Sequence, residues 1–220
     1  GSSSGRCKAN VSFLFNDEFK ALVCSRCLSF ERQEISVSQP LKRAAVAVTI
    51  VAADDGSNRA AFILTERPGT MRNHAGQYAL PGGRCDEGET ASQAALREIE
   101  EEIGLSIPES EVMGTLDDFV SRSGYLITPI VVWAPRSETL TLNPEEVAYA
   151  HRIPFDGFVT EESVSFISIK ESSRPVIRIR LMGDDHLHAP TAAILYQFGE
   201  LLHGRVSRVS EFEQPVFAWR

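Results

Sequence analysis

Residues 83–105 read GRCDEGETASQAALREIEEEIGL and hold seven acids, Asp86, Glu87, Glu89, Glu98, Glu100, Glu101 and Glu102, against two bases, Arg84 and Arg97. Their net charge of −5 is more than half of the −8 carried by the whole chain of 220 residues. A charge this concentrated needs a local cause. Residues 89–103 have helical character, and on a helix Glu98, Glu101 and Glu102 stand at i, i+3 and i+4, on one face within one turn. Each like-charge pair of this kind costs an isolated helix about 0.2–0.5 kcal/mol. Acid-rich helix faces are ordinarily just solvated, but the surroundings of this one argue for a site. Gly82, Gly83 and Gly88 give a preceding loop whose backbone can approach a ligand closely, and Arg97, eight residues after Glu89, is spaced to tie that loop to the helix. A bound divalent cation turns the repulsion into attraction. Hard oxygen donors suit Mg²⁺ or Mn²⁺, which keep several waters and take further ligands from substrate phosphates.

Outward from this segment, 43% apolar content is enough for one sizeable core. With 24% charged residues and no apolar run approaching eighteen, disorder and a membrane-spanning helix are both excluded as readings. Twenty-two basic against thirty acidic residues is the wrong balance for wrapping nucleic acid. The expected partner is a small molecule, with neither nucleic acid nor membrane involved, and a homodimer is compatible with the sequence. Gly1-Ser-Ser-Ser-Gly5 reads as a tag remnant, since no signal-peptide pattern follows it. Cys7, Cys24, Cys27 and Cys85 are too few and too irregular for a disulfide scaffold, and Cys24-Ser-Arg-Cys27 lacks the two further ligands a zinc site needs. Two free thiols on a helix are expected there. The C-terminal Phe217-Ala-Trp-Arg220 is no peroxisomal address, so a cytoplasmic location is expected.

Asn16, followed by Asp17 and Glu18, can cap a helix on which Phe19, Leu22, Val23, Cys27 and Phe30 recur at helical spacing. AAVAVTIVAA at 44–53 reads as an apolar strand, Asp55-Gly56 as a turn, and 61–65 as its antiparallel partner. YLITPIVVWA at 125–134 is a further strand, and Ile177, Ile179 and Leu181 alternate with Arg178 and Arg180 on a half-exposed one. A last helix starts near Pro190, buries Leu195, Phe198, Leu201 and Leu202, and stops at Gly204. Strands mixed with two or three helices give an α+β sandwich.

The acidic segment resembles the Nudix box: Gly, five residues, Glu, seven residues, Arg-Glu, an aliphatic, any residue, Glu-Glu, any residue, Gly, an aliphatic. Gly83, Glu89, Arg97, Glu98, Ile99, Glu101, Glu102, Gly104 and Leu105 fill every defined position. The resemblance implies an α/β/α sandwich with a mixed central sheet, and metal-dependent hydrolysis of a nucleoside diphosphate linked to another group. Carried over, it makes Glu98 and Glu102 the main metal ligands, Glu101 a further ligand or water-orienting base, the Gly82 carbonyl another ligand, and Glu89 and Arg97 a structural pair. The expected organisation is a tag at 1–5, a helical extension at 6–40, the Nudix domain at 41–205 and a tail at 206–220.

Upstream, residues 63–83 read ILTERPGTMRNHAGQYALPGG and resemble the pattern that precedes the box in coenzyme A diphosphatases. Leu64, Thr65, Arg67, Arg72, Gly76, Pro81, Gly82 and Gly83 are in register, while Ile63, Pro68 and Leu80 depart from it. Arg67, Arg72 and His74, with Gly76 in the same loop, would bind substrate, since a ligand with several phosphates needs cations beside an acidic box. Asn143-Pro-Glu-Glu-Val147 resembles the loop where many Nudix enzymes place an extra glutamate, so Glu145 or Glu146 is the candidate general base. His186-Leu-His188 lacks the further ligands of a zinc site. The implied activity is cleavage of coenzyme A or a thioester of it to 3′,5′-ADP and 4′-phosphopantetheine. One alternative is ADP-ribose or another nucleoside diphosphate, although the proline that ADP-ribose hydrolases place sixteen residues past the box is Ser121 here. The other is a non-catalytic ligand-binding Nudix module, against which every box acid is retained.

Overall fold

The computed structural model describes residues 12–36, 38–69, 77–135, 139–181 and 183–219. Helix α1 (Asp17–Ser29) starts where the Asn16 side chain accepts a hydrogen bond from the Phe19 amide, with Asp17 and Glu18 in the first turn. Acids there meet the positive end of the helix dipole. Strand β1 (Lys42–Ala52) turns back into antiparallel β2 (Ala60–Glu66), with Ile50 opposite Phe62. The short strands β3 (Tyr78–Ala79) and β4 (Gly82–Arg84) pair antiparallel with β2 and β1.

Helix α2 (Ala91–Ile103) follows, and then β5 (Val112–Thr115), β6 (Phe119–Val120) and β7 (Tyr125–Trp133). Strand β7 runs parallel to β1 from Lys42 opposite Tyr125 to Ile50 opposite Trp133, and β5 and β6 lie antiparallel along β7. Strand β8 (Tyr149–Pro154) closes against β2. The main sheet is therefore mixed. A second, antiparallel sheet holds β9 (Val164–Ile169), β10 (Ser172–Arg180) and β11 (His186–His188), and α3 (Thr191–Leu202) follows it.

Strand alternation divides the interior into two cores. On one face of the main sheet, Ala45, Ala47, Val51, Ile63, Ile130 and Val132 meet the apolar stripe of α2, which is Ala94, Ala95, Ile99 and Ile103. On the other, Val48, Ile50, Phe62, Leu64 and Val131 pack with Phe19 and Val23 of α1, Phe198 of α3, and Ile177 and Ile179 of β10. Both faces of β1 are covered over most of its length, which is why it reads as an unbroken apolar run rather than an alternating one.

The flanking segments join the larger core. Phe13, Phe15, Val209 and Phe212 are all buried in it. Buried Asp117 accepts hydrogen bonds from the Gln33 amide at 2.8 Å, the Gln197 side chain at 2.7 Å and Arg208 at 3.1 Å, and Arg208 also donates to the Glu31 carbonyl at 2.9 Å. Next to it, Asp118 pairs with Arg32 and accepts from Thr128. Glu213, equally buried, takes Arg122 at 2.6 Å and Arg174 at 2.7 Å.

Candidate active site

Strand β4, its following loop and α2 hold the box. Thr90 accepts from the Gln93 amide while Gln93 accepts from the Thr90 amide, a reciprocal cap that starts α2 just after the loop. Gly104 ends the helix in the left-handed region, φ 73°. Arg97 ties the parts together. Its Nε and Nη2 donate to Glu89 at 2.9 and 3.1 Å, Nη1 to Glu98 at 3.0 Å and Glu101 at 3.1 Å, and Nη2 to the Arg84 carbonyl at 2.9 Å. The guanidinium fork matches this many oxygens in a way a point charge would not. The hydrogen bonds from Arg97, with one from the Asp86 amide, hold the Glu89 carboxyl below its ordinary range despite burial. Gly83 lets β4 lie against the helix, since a Cβ there would overlap the Glu98 carboxylate.

Beside this scaffold is a cleft of about 170 Å³ lined by Thr65, Arg67, Ala79, Leu80, Gly82, Glu98, Glu102 and Glu146. Glu98 and Glu102 project into it from one face of α2, a turn apart. The Gly82 amide points at Glu102 Oε1, 3.5 Å away. Burial first, and Glu98 second, push the Glu102 carboxyl up to about 8. Burial also raises Glu98, with Arg97 offsetting part of the rise. Glu146 is brought across the cleft by a loop fastened to the end of α2, where the Asn143 amide donates to the Glu102 carbonyl and the Thr141 amide to the Ile103 carbonyl, both at 2.9 Å. Asn143 then caps the turn by accepting from the Glu145 amide at 3.2 Å.

The structure thus gathers Arg67, Gly82, Glu98, Glu102 and Glu146. Glu145 does not line the cleft, and neither does Glu101, whose half-exposed carboxylate turns to Arg97, one turn back on α2. Arg72, His74 and Gly76 lie outside the described residues. Thr65 is an added member of the lining, its hydroxyl donating to the Ala79 carbonyl at 3.0 Å. Its place in the upstream pattern was the signal for it.

Among the described residues no three histidine, cysteine or acidic side chains form a ready metal cage. The donor set present is two half-buried carboxylates, Glu98 and Glu102, whose mutual repulsion and burial both disfavour charge and would both be relieved by a cation. That fits Mg²⁺ or Mn²⁺, which need one or two protein carboxylates when water and substrate phosphates supply the rest.

A sequence model of the NUDIX domain matches residues 41–176. The chain belongs to the Nudix family. An uncharacterized Nudix hydrolase, NudL, of Photorhabdus laumondii is 38% identical over 109 residues, 49% of this chain and 58% of that protein. Nudix hydrolase 22, chloroplastic, of Arabidopsis thaliana is 36% identical over 125 residues, 56% of this chain and 41% of that one. The chain spans about half the length of the curated relatives it matches. Among solved structures, a MutT/nudix family protein from Enterococcus faecalis superposes with a TM-score of 0.54 at 17% identity, covering 74% of this chain and 62% of that one, which shows the shared Nudix fold.

Proposed function

We propose that this chain is a divalent-metal-dependent Nudix diphosphatase acting on coenzyme A or a thioester of it, which it cuts to 3′,5′-ADP and 4′-phosphopantetheine. One observation carries the reading: Thr65 and Arg67, from the coenzyme A diphosphatase pattern, line the same cleft as Gly82, Glu98 and Glu102 from the box. Glu98 and Glu102, with the Gly82 carbonyl assigned beside them on the family resemblance, would hold Mg²⁺ or Mn²⁺; when bound, the ion neutralises diphosphate charge and polarises the attacking water. Glu146 takes the proton from that water at its carboxylate. Arg67 meets phosphate oxygens. Glu101 acts one step away by holding Arg97, which in turn fixes Glu98. Arg72, His74 and Gly76 are assigned to substrate on the sequence pattern alone.

We propose a cytosolic location on the basis of the few, irregularly spaced cysteines of the sequence. Among the described residues no helix is long and apolar enough to cross a membrane.

The test is product analysis by mass after incubation with coenzyme A, ADP-ribose or diadenosine polyphosphates, each with Mg²⁺ or Mn²⁺, with Glu102→Gln as control. The expected result is 3′,5′-ADP from coenzyme A, released faster than any other product and lost in the variant. Faster cleavage of ADP-ribose would overturn the substrate and keep the enzyme class. No turnover of any diphosphate would leave a ligand-binding module.

A further inference from the structure

The face of the main sheet opposite α2 is only partly covered over the first half of β1, where Ala44 and Val46 lie at the margin of the larger core. Ala45 and Ala47, which point at α2, are fully buried, whereas Ala44 and Val46, which point away from it, are only half-buried although β4 and β7 flank the strand on both sides. Gly82 lies beside Val46, Arg84 beside Ala44 and Tyr125 beside Lys42. Strand alternation therefore puts Gly82, Arg84, Lys42 and Tyr125 on this partly covered face. Ala44 and Val46 lie between Gly82, which lines the cleft from the edge of β4, and a tyrosine flanked by two cations. Arg84 is only about 7 Å beyond Gly82 along β4.

Those cations are held in place. Arg84 Nε donates to the Tyr125 hydroxyl at 2.7 Å, and its guanidinium lies 5.4 Å from the centre of the tyrosine ring. Lys42 Nζ is 5.7 Å from the same ring. Both side chains belong to exposed residues, and among the described residues neither forms an ion pair with a carboxylate. With Nε committed to the phenol, the terminal nitrogens of Arg84 remain available. The phenol oxygen accepts from Arg84, so its own proton is available too. An exposed lysine or arginine is ordinarily just solvated. Here, however, two of them converge on one ring, on the sheet face that Gly82 and Arg84 share, in a chain of net charge −8. Guanidinium, ammonium and phenol together present donors suited to a tetrahedral oxyanion.

We infer that Lys42, Arg84 and Tyr125 form an anion subsite for a phosphate monoester of the substrate, separate from the diphosphate held in the cleft. Which monoester this is rests on the coenzyme A reading: it is the 3′-phosphate of the ribose, one sugar away from the diphosphate. Arg84 sits at a position the box leaves unspecified, so the box pattern itself gives no sign of this role.

Two measurements separate the subsite from the reading it rests on. Calorimetric titration of 3′,5′-ADP and of 5′-AMP, which differ only in that phosphate, should show preference for 3′,5′-ADP in the wild type. In Lys42→Gln/Arg84→Gln the preference should fall by about tenfold or more, as expected for losing charge-assisted hydrogen bonds, and Tyr125→Phe should lie in between. The ratio of kcat/KM for coenzyme A over its 3′-dephospho form should drop in parallel, with melting curves confirming that the variants fold. A wild type that binds both nucleotides equally, or a double variant that keeps the preference, overturns the subsite. Absence of coenzyme A turnover overturns the substrate reading instead, while the titrations still decide the subsite.

Discussion

Gly82 and Gly83 are adjacent, yet a methyl group added to each meets a different obstacle. At Gly83 it would strike the end of the Glu98 side chain, which can swing aside; at Gly82 it would strike the Ala45 carbonyl and the Val46 backbone, which cannot. Gly83→Ala is therefore expected to fold with nearly unchanged melting temperature while turnover falls by about 100-fold, the scale of a small misplacement at a reacting centre. Gly82→Ala is expected to lose about 1–3 kcal/mol of stability from backbone overlap, read by urea denaturation. Arg97→Lys cannot reproduce the fork that serves Glu89, Glu98, Glu101 and the Arg84 carbonyl. It should lower the melting temperature by several degrees, on the basis of about 1–2 kcal/mol lost in a chain of this size. Spacing alone puts Glu98, Glu101 and Glu102 on one helix face, but it does not show which way a carboxylate leans. Glu101 leans to Arg97 because that cation stands one turn before it, an outcome settled by side-chain competition rather than by period.

Helix α2 carries both the apolar stripe that closes the smaller core and the carboxylates of the cleft. Those carboxylates repel, so a cation that binds them should stabilise the helix and the fold together. Addition of Mg²⁺ or Mn²⁺ is expected to raise the melting temperature of the wild type, chelation by EDTA to reverse the rise, and Glu98→Gln/Glu102→Gln to abolish it. An equal rise in the double variant would place the bound ion elsewhere. This helix was legible in the sequence from its period, and β1, β2 and β7 from their apolar runs bounded by turn residues, which leave few alternatives. Strand β9 was not, since it buries little of its apolar content: Phe166 stays 50% exposed and Ile167 38%. The convergence of Lys42, Arg84 and Tyr125 was also illegible. It arises where β7 pairs in parallel with β1 across more than eighty residues of chain, and no local pattern encodes that pairing.

At the scale of the whole molecule, the residues after α3 are structural. Glu213 shows this through its titration. Burial alone would raise its carboxyl, but hydrogen bonds from Arg122, the Gln214 amide, Ser172 and Arg174 outweigh burial and bring it down to about 2. A carboxyl lowered on folding contributes stability that is fully present above its ordinary value of 4.5 and is lost as pH falls toward the folded value. Glu213→Gln should accordingly be less stable than the wild type in urea at pH 7, and the gap should narrow between pH 4.5 and 2. A gap that stays constant across that range would mean that Glu213 acts through packing alone.

The two cores also differ in when they can close. A chain leaves the ribosome from its N-terminal side, and every buried residue of the core under α2 lies between Ala45 and Ala134. The larger core must wait for Val209 and Phe212, and Arg208 must arrive before Glu31 and Asp117 are joined. During synthesis the α2 face of the sheet can therefore assemble while its reverse side has only the N-terminal part of its core, Phe13, Phe15, Phe19 and Val23, to cover it. A nascent chain paused in that interval would leave Val48, Ile50, Phe62 and Leu64 without Ile177, Ile179 and Phe198, a partly exposed apolar surface of the kind that holding chaperones bind.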